Sequence, residues 1–207
     1  MPLSIKVVAF DCDGVLFDSR AANTAFYNQI MTHLGLPPLT DRQSAYAHMH
    51  TVDEAIAYLV PDETSRSAAQ AYRRRMTYLP FITLMEMDAE LVPLLTRLHP
   101  HYRTAIATNR TDTMAKVLDH HNLGLFFDLV VTALDVAHPK PHPEQLLTVQ
   151  RHFAIEPRQL LYVGDSQVDE AAAAAAGVCF VAYRNPRLRA DHHVNGMLEL
   201  AALLGLN

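Results

Sequence analysis

The chain has 207 residues, half of them apolar, with 17 basic against 22 acidic side chains and a formal charge of -5. That length allows one full core with an insertion, or two domains. The acidic balance argues against a nucleic-acid partner, and no apolar run approaches the roughly 18 residues a membrane span needs.

The opening MPLSIKVVAFD lacks a basic region followed by a long apolar stretch and a small-residue cleavage site, so a cytoplasmic protein is expected. Within it IKVVAF (5–10) reads as a strand buried on both faces. Directly after it come Asp11, Cys12, Asp13 and Gly14. An Asp-x-Asp-Gly sequence can be a simple Asx turn. Two ionised carboxylates at the end of a buried strand nevertheless repel one another and call for a positive partner.

From Ser19 to about Met87 only helical patterns follow, in SRAANTAFYNQIMTHLG, TVDEAIAYLV and ETSRSAAQAYRRRMTYL. This is too long for one crossover and reads as a helical cap over residues 19–87, either a lid or a structural or dimerising hairpin. The core is then expected at 1–18 and 88–207. AELVPLLTRL (89–98) returns the chain to the sheet as a helix.

Four more apolar runs follow: RTAIAT (103–108), FDLVVT (127–132), LLYVG (160–164) and VCFVAY (178–183). Between them lie the helical segments 111–122, 143–153 and 166–177. Pro143 is expected in a first helical turn, and Gly177 as a C-cap. The six-alanine run at 171–176 suits a helix lying close against a sheet. Regular alternation of strand and helix predicts a doubly wound parallel α/β sheet.

Two features point nowhere specific. Of twelve histidines, ten fall in the groups HMH (48–50), HPH (99–101), HH (120–121), HPKPH (138–142) and HH (192–193), none with zinc-site spacing. Arg73, Arg74 and Arg75 point in three directions from a helix, as a solvated surface does. Cys12 and Cys179 sit in apolar runs and are expected as reduced, packed thiols.

In a doubly wound sheet, ligands bind outside the carboxyl ends of the strands. There the sequence places Asp11 and Asp13, then Thr108 and Asn109, then Lys140 in the loop VAHPKPHPE, then Asp165 and Ser166. Carboxylates, a hydroxyl, an amide and an ammonium on one rim suit a hard cation such as Mg2+ together with a phosphoryl group.

DCDGVLFDS, ATN at 107–109, KPHPE at 140–144 and VGDSQVDEAAAAAAG at 163–177 resemble, in order, the four motifs of the haloacid dehalogenase superfamily, in its phosphatases with a helical cap. The resemblance implies Asp11 as a nucleophile that forms an aspartyl phosphate, and Asp13 as the acid and then the base. It implies Thr108 and Lys140 on the phosphoryl oxygens, Asn109 at the substrate, and Mg2+ held by Asp11, Asp165 and the carbonyl of Asp13. Asp169 is either an acid supporting the metal or Lys140, or a favourable charge in a first helical turn.

Pro139 and Arg110 depart from the pattern without removing a reacting group; Arg110 either reaches the substrate or starts a helix. Gly164 before Asp165 favours a phosphoglycolate-phosphatase-like hydrolase over a β-phosphoglucomutase-like enzyme, whose pattern is Glu-Asp-Ser. A phosphate-binding protein without catalysis is the alternative from another class. The expected partner is a small phosphorylated metabolite, with the chain a monomer or homodimer. Candidates for specificity in the cap are Arg20, Asn23, Tyr46, His48, His50 and one of Arg73 to Arg75.

Overall fold

The computed structural model describes residues 4–206; residues 1–3 and 207, which the expected core span includes, lie outside the described residues. In chain order the strands are β1 (Val7–Phe10), β2 (Phe17–Asp18), β3 (Glu86–Met87), β4 (Arg103–Ala107), β5 (Leu129–Val131), β6 (Leu160–Gly164), β7 (Cys179–Tyr183) and β8 (His192–Val194). The helices are α1 (Arg20–His33), α2 (Asp41–Met49), α3 (Val52–Leu59), α4 (Glu63–Arg73), α5 (Leu79–Ile82), α6 (Leu91–Leu98), α7 (Met114–His120), α8 (Glu144–Phe153), α9 (Gln167–Ala176) and α10 (Met197–Leu203). The chain divides into two compact units, one running up to Phe17 and resuming at Met87, the other spanning Asp18–Glu86.

The first unit is built on a six-stranded sheet in the order β5-β4-β1-β6-β7-β8, with every pair parallel. The chain winds outward from β1 through β4 to β5, then crosses to β6 on the other side. β1 therefore stands at the topological switch point. All four of its residues are buried, as a strand covered on both faces requires. Val7 and Ala9 share one face with Ala105 and Tyr162, packed on Leu146 and Val149 of α8 and on Ala172, Ala173 and Ala176 of α9. The alanine run thus gives α9 a flat face against the sheet. Gly177 closes that helix with φ 67°, the left-handed conformation glycine adopts without strain.

The register fixes the rim. Phe10 stands opposite both Ile106 and Val163, so Asp11 leaves β1 level with the ends of β4 and β6. Two elements of this unit exceed the sequence reading. β8 is too short and polar to look like a strand, and pairs with Val181 to Tyr183 at the sheet edge. α10 adds a last segment MLELAAL of about two turns, burying Met197, Leu200 and Ala201. Pro143 takes the N-cap position of α8, one residue outside the first turn expected for it.

The second unit is helical throughout its interior. α1 packs against α2, α4 and α5, burying Phe26 edge-on to Tyr78 and Phe81. α2 was not expected, because only Ala47 on it is buried and no apolar period shows. Its start is nonetheless written in the sequence, as the capping box of Thr40 and Gln43. Asn23 Nδ2 lies 3.0 Å from His48 Nδ1, and Tyr46 stacks on His50 and on Tyr58. Four of the cap candidates therefore contact one another within the unit. At the two junctions β2 and β3 pair as a two-stranded ribbon. Among the described residues no helix is long and apolar enough to cross a membrane.

Candidate active site

The turn after β1 carries the first two carboxylates. Asp11 N–H donates to Val163 O at 2.9 Å, extending the β1–β6 ladder by one residue, and the chain then coils tightly as Leu16 and Phe17 N–H both reach Cys12 O. Gly14 sits in that coil at φ +82°, where a Cβ would lie 2.1 Å from Asp165 Oδ2. Both the backbone angle and the approach of Asp165 demand glycine. Cys12, between the aspartates, is buried, and loss of solvent pushes its thiol well above the ordinary range, so it is not a nucleophile at neutral pH.

The ends of β4 and β6 and the loop before α8 supply the rest. Thr108 is buried and its Oγ accepts from Arg110 N–H. Asn109 uses both ends of its amide on Lys140: Nδ2 donates to Lys140 O at 2.9 Å and Oδ1 accepts from Lys140 N–H at 3.0 Å. This side chain, expected at the substrate, fixes the backbone that carries the lysine. Glu144 holds the same loop from the other side, accepting from the N–H groups of Ala137 and His138.

Lys140 is 1% exposed, and its Nζ meets Asp169 Oδ1 at 2.7 Å, Asp11 Oδ1 and Tyr162 Oη at 2.8 Å and Ala107 O at 3.0 Å. Burial alone would lower its pKa; the charges of Asp11 and Asp169 overcome that and hold the ammonium above its ordinary value. Asp169 shows the converse. Burial would raise it, but Lys140 and hydrogen bonds from Lys140, Ser166 and Tyr162 bring it below the usual carboxylate range. Both readings of Asp169 apply at once: it caps α9 through Ser166 N–H and supports Lys140. Gly164 makes room for it, since a Cβ there would lie 2.4 Å from Asp169 Cβ.

Asp11, Asp165 and Asp169 each offer an oxygen within 4.8 Å of the others. One ammonium does not balance three carboxylates. Burial, with the neighbouring charges, raises Asp11 to about 7 and Asp165 to about 8. The Asp165 carboxylate has no hydrogen bond or ion pair among the described residues, while its backbone carbonyl is held by Asn185 Nδ2 at 2.8 Å. Such a set of hard, under-compensated oxygens fits a divalent cation.

Arg110 stands three residues before Thr113, the N-cap of α7, so it does not start that helix. Its Nη2 lies 2.7 Å from Asp13 Oδ1, with both side chains largely buried, and Nη1 is 3.2 Å from Thr113 Oγ1. The guanidinium therefore orients Asp13. No sequence signal announced this pairing across 97 positions.

Residues 8–183 match the family model of the haloacid dehalogenase-like hydrolases. The chain belongs to that family. A phosphoglycolate phosphatase of Chromobacterium violaceum is 34% identical over 231 residues, covering 97% of this chain and 96% of its own. A solved hydrolase of the same superfamily, subfamily IA, from Geobacter sulfurreducens PCA is 40% identical with TM-score 0.80, over 98% of this chain and 97% of its own. The β-phosphoglucomutase of Clostridium difficile superposes with TM-score 0.83 at 17% identity, over 95% of this chain and 93% of its own, a likeness of fold alone. In this haloacid dehalogenase-like hydrolase, Asp11, Lys140, Asp165 and Asp169 are thus gathered where a doubly wound sheet binds its ligand.

Proposed function

We propose that this hydrolase is a magnesium-dependent phosphatase acting on a small phosphorylated metabolite, through an aspartyl phosphate formed on Asp11. The observation that carries the reading is the position of Asp11 at the switch point, 2.8 Å from Lys140 Nζ and within the acidic trio. A magnesium ion would be held by the side chains of Asp11 and Asp165 and by the Asp13 carbonyl. Bound there, it would neutralise charge so that a carboxylate and an anionic phosphate can approach.

The residues then divide the chemistry. Asp11 attacks phosphorus as the bond to the leaving oxygen breaks, and Asp13, oriented by Arg110, donates the proton the leaving alkoxide needs. Now ionised, Asp13 takes a proton from water as the water attacks the aspartyl phosphate, releasing phosphate and restoring Asp11. Lys140 and Thr108 hold the phosphoryl oxygens, the first as a charge and the second as a hydroxyl donor. Asn109 and Glu144 position the lysine.

Gly164 supports a hydrolase over a mutase. A glutamate side chain at 164 would occupy the space of Asp169, whose Cβ stands 2.4 Å from any Cβ placed there. The curated relatives named phosphoglycolate phosphatase make 2-phosphoglycolate the first substrate to try. The test is a panel of phosphate monoesters assayed with and without Mg2+, in which at least one small ester should turn over only with the metal. No release of phosphate from any member would refute the reading.

A further inference from the structure

Resting on the phosphatase reading of this site, we propose that Tyr162 is a positioning residue whose hydroxyl holds the Lys140 ammonium and the Asp169 carboxylate in fixed relation throughout turnover. The ring belongs to β6 and is wholly buried, stacked on Phe180 with centroids 6.1 Å apart. Its Oη accepts from Lys140 Nζ at 2.8 Å and donates to Asp169 Oδ1 at 2.6 Å, while Asp169 Oδ1 also accepts from Lys140 at 2.7 Å. These three bonds close a triangle with one corner on the rigid sheet. The lysine reaches it on a flexible four-carbon stem that has no comparable stiffness of its own.

An ammonium has three protons, and four acceptors surround Lys140 within 3.0 Å. Asp11 is the acceptor that changes, because its carboxylate becomes bonded to phosphorus. Tyr162 and Ala107 are neutral and take no part in bond making, so their contacts persist through both half-reactions. Of the two, only Tyr162 also binds Asp169. With the hydroxyl removed, the three ammonium protons still find Asp11, Asp169 and Ala107, so no buried donor is stranded and the chain should fold. What is lost is the fixed point shared by Lys140 and Asp169 while Asp11 carries the phosphoryl group; Ala107 O on β4 still holds the ammonium but not Asp169.

Tyr162→Phe should therefore lower kcat about 10- to 100-fold with KM within about threefold, as misplacement of a charge by a fraction of an ångström does. The Ki for orthovanadate, which mimics the transferring phosphoryl group, should rise by a similar factor while that for inorganic phosphate stays within about threefold. Phe180→Leu loosens the packing under the ring without touching the hydroxyl. It should lower the melting temperature and leave the vanadate-to-phosphate ratio unchanged. A Tyr162→Phe enzyme within twofold of the parent in kcat and in vanadate Ki, or a Phe180→Leu enzyme that loses the ratio equally, overturns the proposal. Lys140→Met separates the two levels. If it loses vanadate selectivity while Tyr162→Phe keeps it, only this inference fails; if it too keeps selectivity and turnover, the phosphatase reading of the site fails.

Discussion

Gly14 offers a test of the metal site that alters none of the side chains assigned to the ion. In Gly14→Ala the new Cβ would fall 2.1 Å from Asp165 Oδ2, against a practical minimum of 3.0 Å, so the carboxylate must retreat by about 1 Å. The backbone at φ +82° adds strain of about 1–2 kcal/mol for any residue with a Cβ. Gly35→Ala separates the two effects, since Gly35 has φ +68° with no atom within 4 Å of a Cβ. Both variants should lose comparable stability in thermal melts with chelator. Only Gly14→Ala should raise the Mg2+ concentration for half-maximal turnover of p-nitrophenyl phosphate, by about 10- to 100-fold, the range seen when the support of a metal ligand is disturbed. An unchanged magnesium requirement in Gly14→Ala, with the strain cost present, would refute Asp165 as a ligand.

Turnover should vanish in chelator and return with Mg2+, and Asp165→Asn should raise the Mg2+ concentration needed for half-maximal turnover by removing an anionic donor; full activity in chelator would contradict the metal reading. In metal-free protein Asp11 and Asp165 sit at about 7 and about 8, against 3.8 for the unfolded chain, so the folded state keeps protons the unfolded state has released. The unfolding free energy should therefore fall as pH rises from about 4 to about 8, and saturating Mg2+ should flatten the slope; denaturant titrations with a flat metal-free profile would count against it. Replacing Asp18–Glu86 with a short flexible linker should leave turnover of p-nitrophenyl phosphate partly intact and level the preference among natural esters, if the insertion acts as a lid. Unchanged selectivity would leave the insertion a structural or dimerising module.

The parts of the molecule that the sequence disclosed are those where chemistry and position coincide. Asp11, Thr108 and Asp165 each end an apolar run that the parallel sheet buries, so polarity at those points stood out against the strand pattern. Lys140 was readable only through its motif, because nothing in VAHPKPHPE shows that the lysine points inward to 1% exposure. Tyr162 was hidden for the opposite reason: an aromatic inside a buried strand looks like packing, and its hydroxyl matters only once Lys140 and Asp169 are folded against it. Arg110 and Asn109 sit next to a motif residue, yet their partners lie 97 and 31 positions away, a separation that local pattern does not encode. α2 and β8 were missed because each buries little, and burial is what writes periodicity into a sequence.

The central claim, that Asp11 is the nucleophile and Asp13 the proton carrier, is tested most directly by trapping the covalent intermediate in Asp13→Asn. That variant keeps the attacking carboxylate and lacks proton transfer, a contribution of about 100- to 10,000-fold. An activated ester such as p-nitrophenyl phosphate, labelled in its phosphoryl group, needs little help from an acid and should still phosphorylate Asp11. Hydrolysis should then be slow, so that rapid acid quench and peptide mapping find the label accumulated on Asp11, with none in Asp11→Asn. Label on no aspartate in Asp13→Asn, or substantial turnover by Asp11→Asn, would contradict the proposed mechanism.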